Sequence, residues 1–258
     1  TVPQSLWQAM CDPLVDLLFA DAPGHGAALL TAEFPRVYVD ANRADDDIDP
    51  TLFDGWDGPA SPSEKSTLGK GLFWLNVKPD RTPLYDRTLT GADLHHRIKT
   101  YHAPYHAALA ALIDQCHGRS GVAFHLNCHS MRGVSGTLDA EGPGVARTDI
   151  VLSDRDGTAS GPAFMATARD LLVADGFSVA INDPFKGAEI IRRTGAPDRG
   201  RHAVQIEINR RLYLEGDGLT PNEDFDGLQD AMSRFVARLA AFCSSEMVKG
   251  LPQTSLSA

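Results

Sequence analysis

Seven residues constrain the fold more than any others. Ala203-Val204-Gln205-Ile206-Glu207-Ile208-Asn209 alternates with a period of two, the signature of a β-strand. Val204, Ile206 and Ile208 face one way; Gln205, Glu207 and Asn209 face the other. Such a strand needs an apolar core on one side and polar company on the other. A carboxylate in its middle is costly unless it is paired, bound to a metal or catalytic.

Other segments alternate with this strand in a way that specifies the class. Gly121 to Leu126, Asp149 to Leu152 and Phe177 to Ile181 read as short buried strands. Helical spacing runs from Ala92 to Cys116, bent at Pro104, and from Pro162 to Asp175, stopped by Gly176. Thr220-Pro221-Asn222-Glu223 resembles a capping box that opens a last helix with Phe225, Leu228, Met232, Phe235, Leu239 and Phe242 as its buried stripe. Gln4 to Ala20 reads as helical, with Leu6, Met10, Leu14, Leu17 and Leu18 as its stripe; Pro13 marks a kink or a boundary between two shorter helices, and on a continuous helix Asp12 and Asp16 share a face. Ala27 to Ala32 and Arg36 to Arg43 read as further strands, the second by alternation of Val37, Val39 and Ala41. Ala44 to Thr90 is rich in Asp, Gly and Pro, a long loop or lid in which Phe73, Trp74 and Leu75 pack down. Strands alternating with helices indicate one α/β domain over residues 1–258, with a mostly parallel sheet covered on both faces.

Charge and composition narrow the partners. The 258 residues carry a formal net charge of −10, which argues against nucleic acid and anionic membranes. No apolar run approaches the ~20 residues that span a bilayer. Thr1 to Trp7 lacks the regions of a secretory signal, and Cys11, Cys116, Cys128 and Cys243 show no metal-type or disulfide spacing, so a reducing cytoplasm is expected.

The chemistry concentrates at strand ends. Phe124-His125-Leu126-Asn127-Cys128-His129-Ser130-Met131-Arg132-Gly133 begins as a buried strand and turns polar, which sets His129 where a strand opens into a loop. A histidine there offers a neutral imidazole to a metal while Asn127 or a carbonyl holds its other nitrogen; the plainer alternative is a strand cap. Asp40-Ala41-Asn42-Arg43 brings a carboxylate, an amide and a guanidinium to an edge, suited to gripping a carboxylate or to a structural Asp40–Arg43 pair. Lys186, Arg192 and Arg193 add positive charge at the end of another strand, with solvated surface as the alternative for the arginines. His102 and His106 stand one helical turn apart without the glutamate of a zinc-protease helix, which points to packing or substrate contact. Cys128 and His129 cannot form a nucleophilic pair, because neighbours on a strand project to opposite sides.

Taken together, VDANR at 39–43, YHAPYHAAL at 101–109, LNCHSM at 126–131, DIVLSDRDGT at 149–158, NDPFKGAEIIRRTGAP at 182–197 and HAVQIEINRRLYL at 202–214 resemble the N-formylglutamate amidohydrolase family. The resemblance implies a three-layer α/β/α sandwich around a mixed, mostly parallel sheet, like that of the zinc carboxypeptidases and aspartoacylase. It implies hydrolysis of N-formyl-L-glutamate, or a related anionic N-acyl amino acid, to glutamate and formate, a late step in some routes of histidine breakdown. It assigns His129 and Asp12 to one divalent metal, zinc, and Glu207 to the general base that deprotonates a metal-bound water. Asn42 and Arg43 take the substrate carboxylate, with Arg132, Lys186 and Arg192 as further substrate-binding candidates. Oligomeric state is left open. Two departures stand out. The family's Pro-His-Ser-Gly motif does not occur, so that segment is either outside this chain or lost, and Asn127 stands where aspartate is more common. These departures keep a second expectation alive, a catalytically silent relative that binds an acidic amino acid.

Overall fold

The structure is a computed structural model that describes residues 3–77, 82–137, 139 and 141–250. Two short helices come first, α1 (Gln4–Gln8) and α2 (Val15–Leu18). The stretch to residue 90 adds α3 (Glu64–Thr67) and an antiparallel ribbon of β1 (Asn76–Val77) with β2 (Thr82–Pro83). Then α4 (Gly91–Arg97) passes through a π-helical turn at Ile98–His102 into α5 (Ala103–Ser120). The remainder is β3 (Ala123–Met131), β4 (Ile150–Ser153), α6 (Pro162–Ala174), β5 (Val179–Ile181), α7 (Glu189–Thr194), β6 (Arg201–Asn209) and α8 (Phe225–Gly250).

The central sheet has the order β3-β6-β4-β5. β3 runs parallel to β6 and β4 parallel to β5, while β4 and β6 are antiparallel, so the sheet is mixed and mostly parallel. The alternation in β6 separates its two faces as the sequence requires. Val204, Ile206 and Ile208 join Ile150, Leu152 and the apolar sides of α2, α6 and α8 in the main core. Leu228, Met232, Phe235 and Leu239 of α8 are all buried there. On the opposite face, α5 and α7 contribute Leu109, Ile113, Ile190 and Ile191. A sheet with helices on both sides is the expected α/β/α arrangement.

Gly121 ends α5 in a left-handed conformation and turns the chain into β3. Gly200, also at positive φ, starts β6 beside it, where any Cβ would strike the Gly121 carbonyl oxygen. These two glycines let the neighbouring strands begin side by side.

Three expectations need correcting, and one left open is resolved. At Gln4 to Ala20 the boundary alternative holds: the run divides into two short helices between Gln8 and Val15, where Pro13 has no amide hydrogen to continue the ladder. Asp12 therefore lies in the gap, off any helix face; the side chain of Leu6 is outside the described residues. Ala27 to Ala32 forms no strand, being alanine-rich, mostly exposed and without a partner. Arg36 to Arg43 forms turns instead, closed by Tyr38 and Val39 amides on the Pro35 carbonyl and by the Asn42 amide on the Asp40 carboxylate. That side-chain bond competes with strand pairing, yet Val37 and Val39 are still buried. The last helix starts at Phe225 rather than at Pro221, since Thr220 bonds Asp217 and is not available as a cap.

The 44–90 stretch packs down further than its composition promised. Ile48, Leu72, Phe73 and Leu89 close with Val39 and Leu94 into a second, smaller core.

Candidate active site

The site is built on the polar face of β3 and β6. Their parallel register sets His129 beside Glu207 and Asn127 beside Gln205. Cys128 points the other way, into the main core, where burial pushes its thiol far up; it takes no part in the site.

Asp12 reaches the site from the break between α1 and α2. One carboxylate oxygen lies 3.0 Å from His129 Nδ1 and 3.1 Å from Arg36. The other accepts from the Ser130 amide at 2.9 Å and the Ser130 hydroxyl at 3.0 Å. Arg36 turns its remaining nitrogens to Asp40, which also accepts from the Trp74 indole at 3.3 Å. Arg210 holds the same corner, bonding the Ser130 hydroxyl and the carbonyls of Ala9 and Cys11. Burial pushes the Asp12 carboxyl up, but Arg36 and His129 outweigh it and hold it well below the usual carboxylate range. Burial likewise opposes charge on His129, and Asp12, then Glu207, reverse that and raise it.

An amide chain links this pair to the carboxylate on β6. The Ile190 amide, at the start of α7, donates to Asn42 Oδ1 at 2.9 Å. That fixes the Asn42 amide so that Nδ2 faces Gln205 Oε1 at 3.2 Å and His129 Nε2 at 3.1 Å. Asn127 Nδ2 approaches the same two acceptors, at 3.0 Å from His129 Nε2 and 3.3 Å from Gln205. Gln205, its oxygen occupied twice, gives Nε2 to Glu207 Oε1 at 2.8 Å. In the neutral ring this makes His129 Nε2 the acceptor and leaves Nδ1–H to donate to Asp12.

Glu207 is only 9% exposed. Burial lifts its carboxyl to about 7, with Asp12 adding to the rise and His129, Arg36 and the Gln205 bond restraining it. A carboxyl that titrates near neutrality beside a polar, buried cluster is able to take a proton and return it.

The sequence candidates do not all converge. His129, Asp12 and Asn42 meet directly, and Glu207 joins them through Gln205. Arg43 follows Asn42 and bonds its carbonyl at 2.8 Å, with Nε 3.9 Å from Asp47 and making no hydrogen bond despite burial. Arg132, Lys186 and Arg192 have side chains 43%, 63% and 54% exposed and pair locally with Asp139, Asp156 and Glu189. The competing Asp40–Arg43 pair is replaced by Asp40–Arg36.

Sequence reading missed Gln205 and Arg36. Gln205 carried a signal, since it shares the polar face of β6 with Glu207. Arg36 had none, because the alternation of its segment says nothing of the turns that aim it at Asp12 and Asp40.

His129 and Asp12 are side chains of metal-binding type, but they are engaged with each other, Nδ1–H of the ring on the carboxylate at 3.0 Å. Among the described residues no three His, Cys, Asp or Glu side chains gather as a ligand set. Zinc wants at least three protein ligands, so these residues do not by themselves fit it.

Comparison with known proteins places the fold and the family. A family model described as N-formylglutamate amidohydrolase matches residues 1–214. The N-formylglutamate deformylase of Pseudomonas putida is 28% identical over 194 residues, covering 74% of this chain. That of Pseudomonas aeruginosa gives the same identity and coverage. The chain spans 65% of the length of these relatives. The solved N-formylglutamate amidohydrolase of Ralstonia eutropha JMP134 superposes with a TM-score of 0.90 at 40% identity, over 95% of this chain and 88% of that one. A gene product of Agrobacterium tumefaciens shares the fold, with a TM-score of 0.62 at 18% identity over 96% of this chain and 87% of that one. The chain belongs to the N-formylglutamate amidohydrolase family.

Proposed function

We propose that the protein hydrolyses the amide bond of N-formyl-L-glutamate, or of a closely related anionic N-acyl amino acid, releasing formate and the amino acid. The observation that carries this reading is Glu207, a buried carboxyl lifted to about 7 on the strand register of His129. The names of the relatives supply the substrate class.

Glu207 takes a proton from the attacking water and delivers it to the nitrogen as the C–N bond breaks. Gln205 holds Glu207 in place, and Asp12 holds the His129 ring. Asn42 and Arg43 orient the substrate carboxylate, which suits the planar fork of an arginine. A divalent metal, zinc, belongs to this proposal only as far as its two donors, His129 and Asp12, which fall short of the three protein ligands that zinc wants. The proton transfers assigned to Glu207 stand on the chain's own residues. Cytoplasmic location and a role in histidine breakdown are further parts of the proposal; four free cysteines suit the former. No described helix is long and apolar enough to cross a membrane.

The test is formate release from N-formyl-Glu, N-formyl-Asp and N-acetyl-Asp, with acetate release followed for the last, each with and without added zinc. Preferential turnover of N-formyl-Glu supports the reading. Binding of an acidic amino acid without release of formate in any condition would replace it with a silent binding protein.

A further inference from the structure

The turns at residues 38–43 carry Asn42 and Arg43 without any strand to pair their backbone. Their carbonyls still need donors, because a buried unpaired carbonyl is costly. One helical run supplies donors to three of them. Arg97 Nη1 donates to the Tyr38 carbonyl at 3.0 Å, His106 Nε2 lies 2.9 Å from the Ala41 carbonyl and His102 Nε2 lies 3.0 Å from that of Arg43. Arg43 itself donates to the carbonyl of Asn42. A carbonyl only accepts, so both imidazoles must carry their proton on Nε2.

The helix is shaped for this. His102 and His106 are one α-helical turn apart, with ring centroids separated by 4.3 Å. Arg97 and His102 are five residues apart and would diverge on a regular α-helix. The π-turn at Ile98–His102 absorbs the extra residue and swings Arg97 onto the same side. Pro104 follows at once and has no amide hydrogen to close a bond back to residue 100, which favours the wider turn. Arg97 and His102 are buried at 5% and 1% exposure, so neither is free to serve solvent.

We propose that His102 and His106, with Arg97, are positioning residues: a three-donor clamp that fixes the backbone on both sides of Asn42 and so aims Asn42 and Arg43 at the site. The catalytic part of this inference rests on the role given to Asn42 and Arg43 above; the clamp itself does not. Neither histidine binds metal or substrate in this account. Their neutral Nε2–H groups do the holding, and glutamine offers an Nε2 donor at similar reach.

The experiment uses the full chain and the variants His106→Leu, His106→Gln, His102→Gln and Arg43→Ala, each checked for a cooperative melt. Two quantities are read: amide hydrogen exchange over residues 38–43, and KM and kcat for formate release from N-formyl-L-glutamate. His106→Leu should speed exchange there and raise KM about tenfold, with kcat within about twofold. His106→Gln and His102→Gln should keep slow exchange and near-native KM. Unchanged exchange in His106→Leu, or glutamine variants no better than leucine, overturns the clamp. Faster exchange in His106→Leu together with an unmoved KM in Arg43→Ala upholds the clamp and overturns the substrate role of Arg43 instead.

Discussion

His129 and Glu207 are register partners on adjacent parallel strands, so both side chains leave the same face of the sheet. One is held by Asp12 at 3.0 Å, the other by Gln205 at 2.8 Å. The imidazole and the carboxylate thus come from segments 78 positions apart, yet the pairing of β3 with β6 alone sets them side by side. Any shift of register by one residue would send one of them into the apolar core.

Glu207 should give activity a rising acid limb. Its proton must be off for it to act as base, so kcat should climb as pH passes about 7. A pH profile of formate release checks this; a flat profile between pH 5 and 9 contradicts it.

The same carboxyl should cost stability at high pH. Its folded value lies above the ordinary 4.5, so the fold favours the protonated form. That contribution is whole below about 4.5 and disappears as pH rises through about 7, a swing of roughly 3 kcal/mol. Glu207→Gln cannot titrate, so its melting temperature should gain on the parent protein's between pH 4.5 and 8. Parallel melting curves at both ends of that range would count against a buried, raised carboxyl.

Arg36 sits between two buried carboxylates, Asp12 and Asp40. Arg36→Met should leave Asp40 without its ion-pair partner and Asp12 with one fewer, and destabilise the protein by about 3–5 kcal/mol, read from urea denaturation. Both carboxyls, held low with the help of Arg36, would rise without it. A loss under about 1 kcal/mol would show that solvent reaches the pair.

Arg43→Ala should raise KM tenfold or more with kcat within a few fold, because a guanidinium that grips a carboxylate acts alike in ground and transition states. Initial-rate kinetics decide it. A fall in kcat with unchanged KM would assign Arg43 to the chemistry instead.

How far the sequence reveals this arrangement depends on periodicity. β6 was legible because its polar and apolar positions alternate, and that same alternation picked out Glu207. α6 and α8 were legible by their apolar spacing, and His129 by the point where an apolar strand turns polar. The segment at 36–43 was misread as a strand for the same reason: Val37 and Val39 alternate, but a second core buries them from turns. The clamp from Arg97, His102 and His106 was illegible because its partners are carbonyls, which leave no mark on side-chain pattern. Arg132, Lys186 and Arg192 each meet a neighbouring carboxylate at the surface, pairings that no strand alternation marks.

The most direct test of Glu207 as proton carrier is a comparison of Glu207→Gln with the parent chain, measuring formate release from N-formyl-L-glutamate and, separately, substrate affinity by calorimetry. The glutamine keeps the shape and the bond to Gln205 but cannot carry a proton, so turnover should fall about 100-fold or more while affinity stays within a few fold. Turnover equal to that of the parent chain, at equal affinity, would contradict the account.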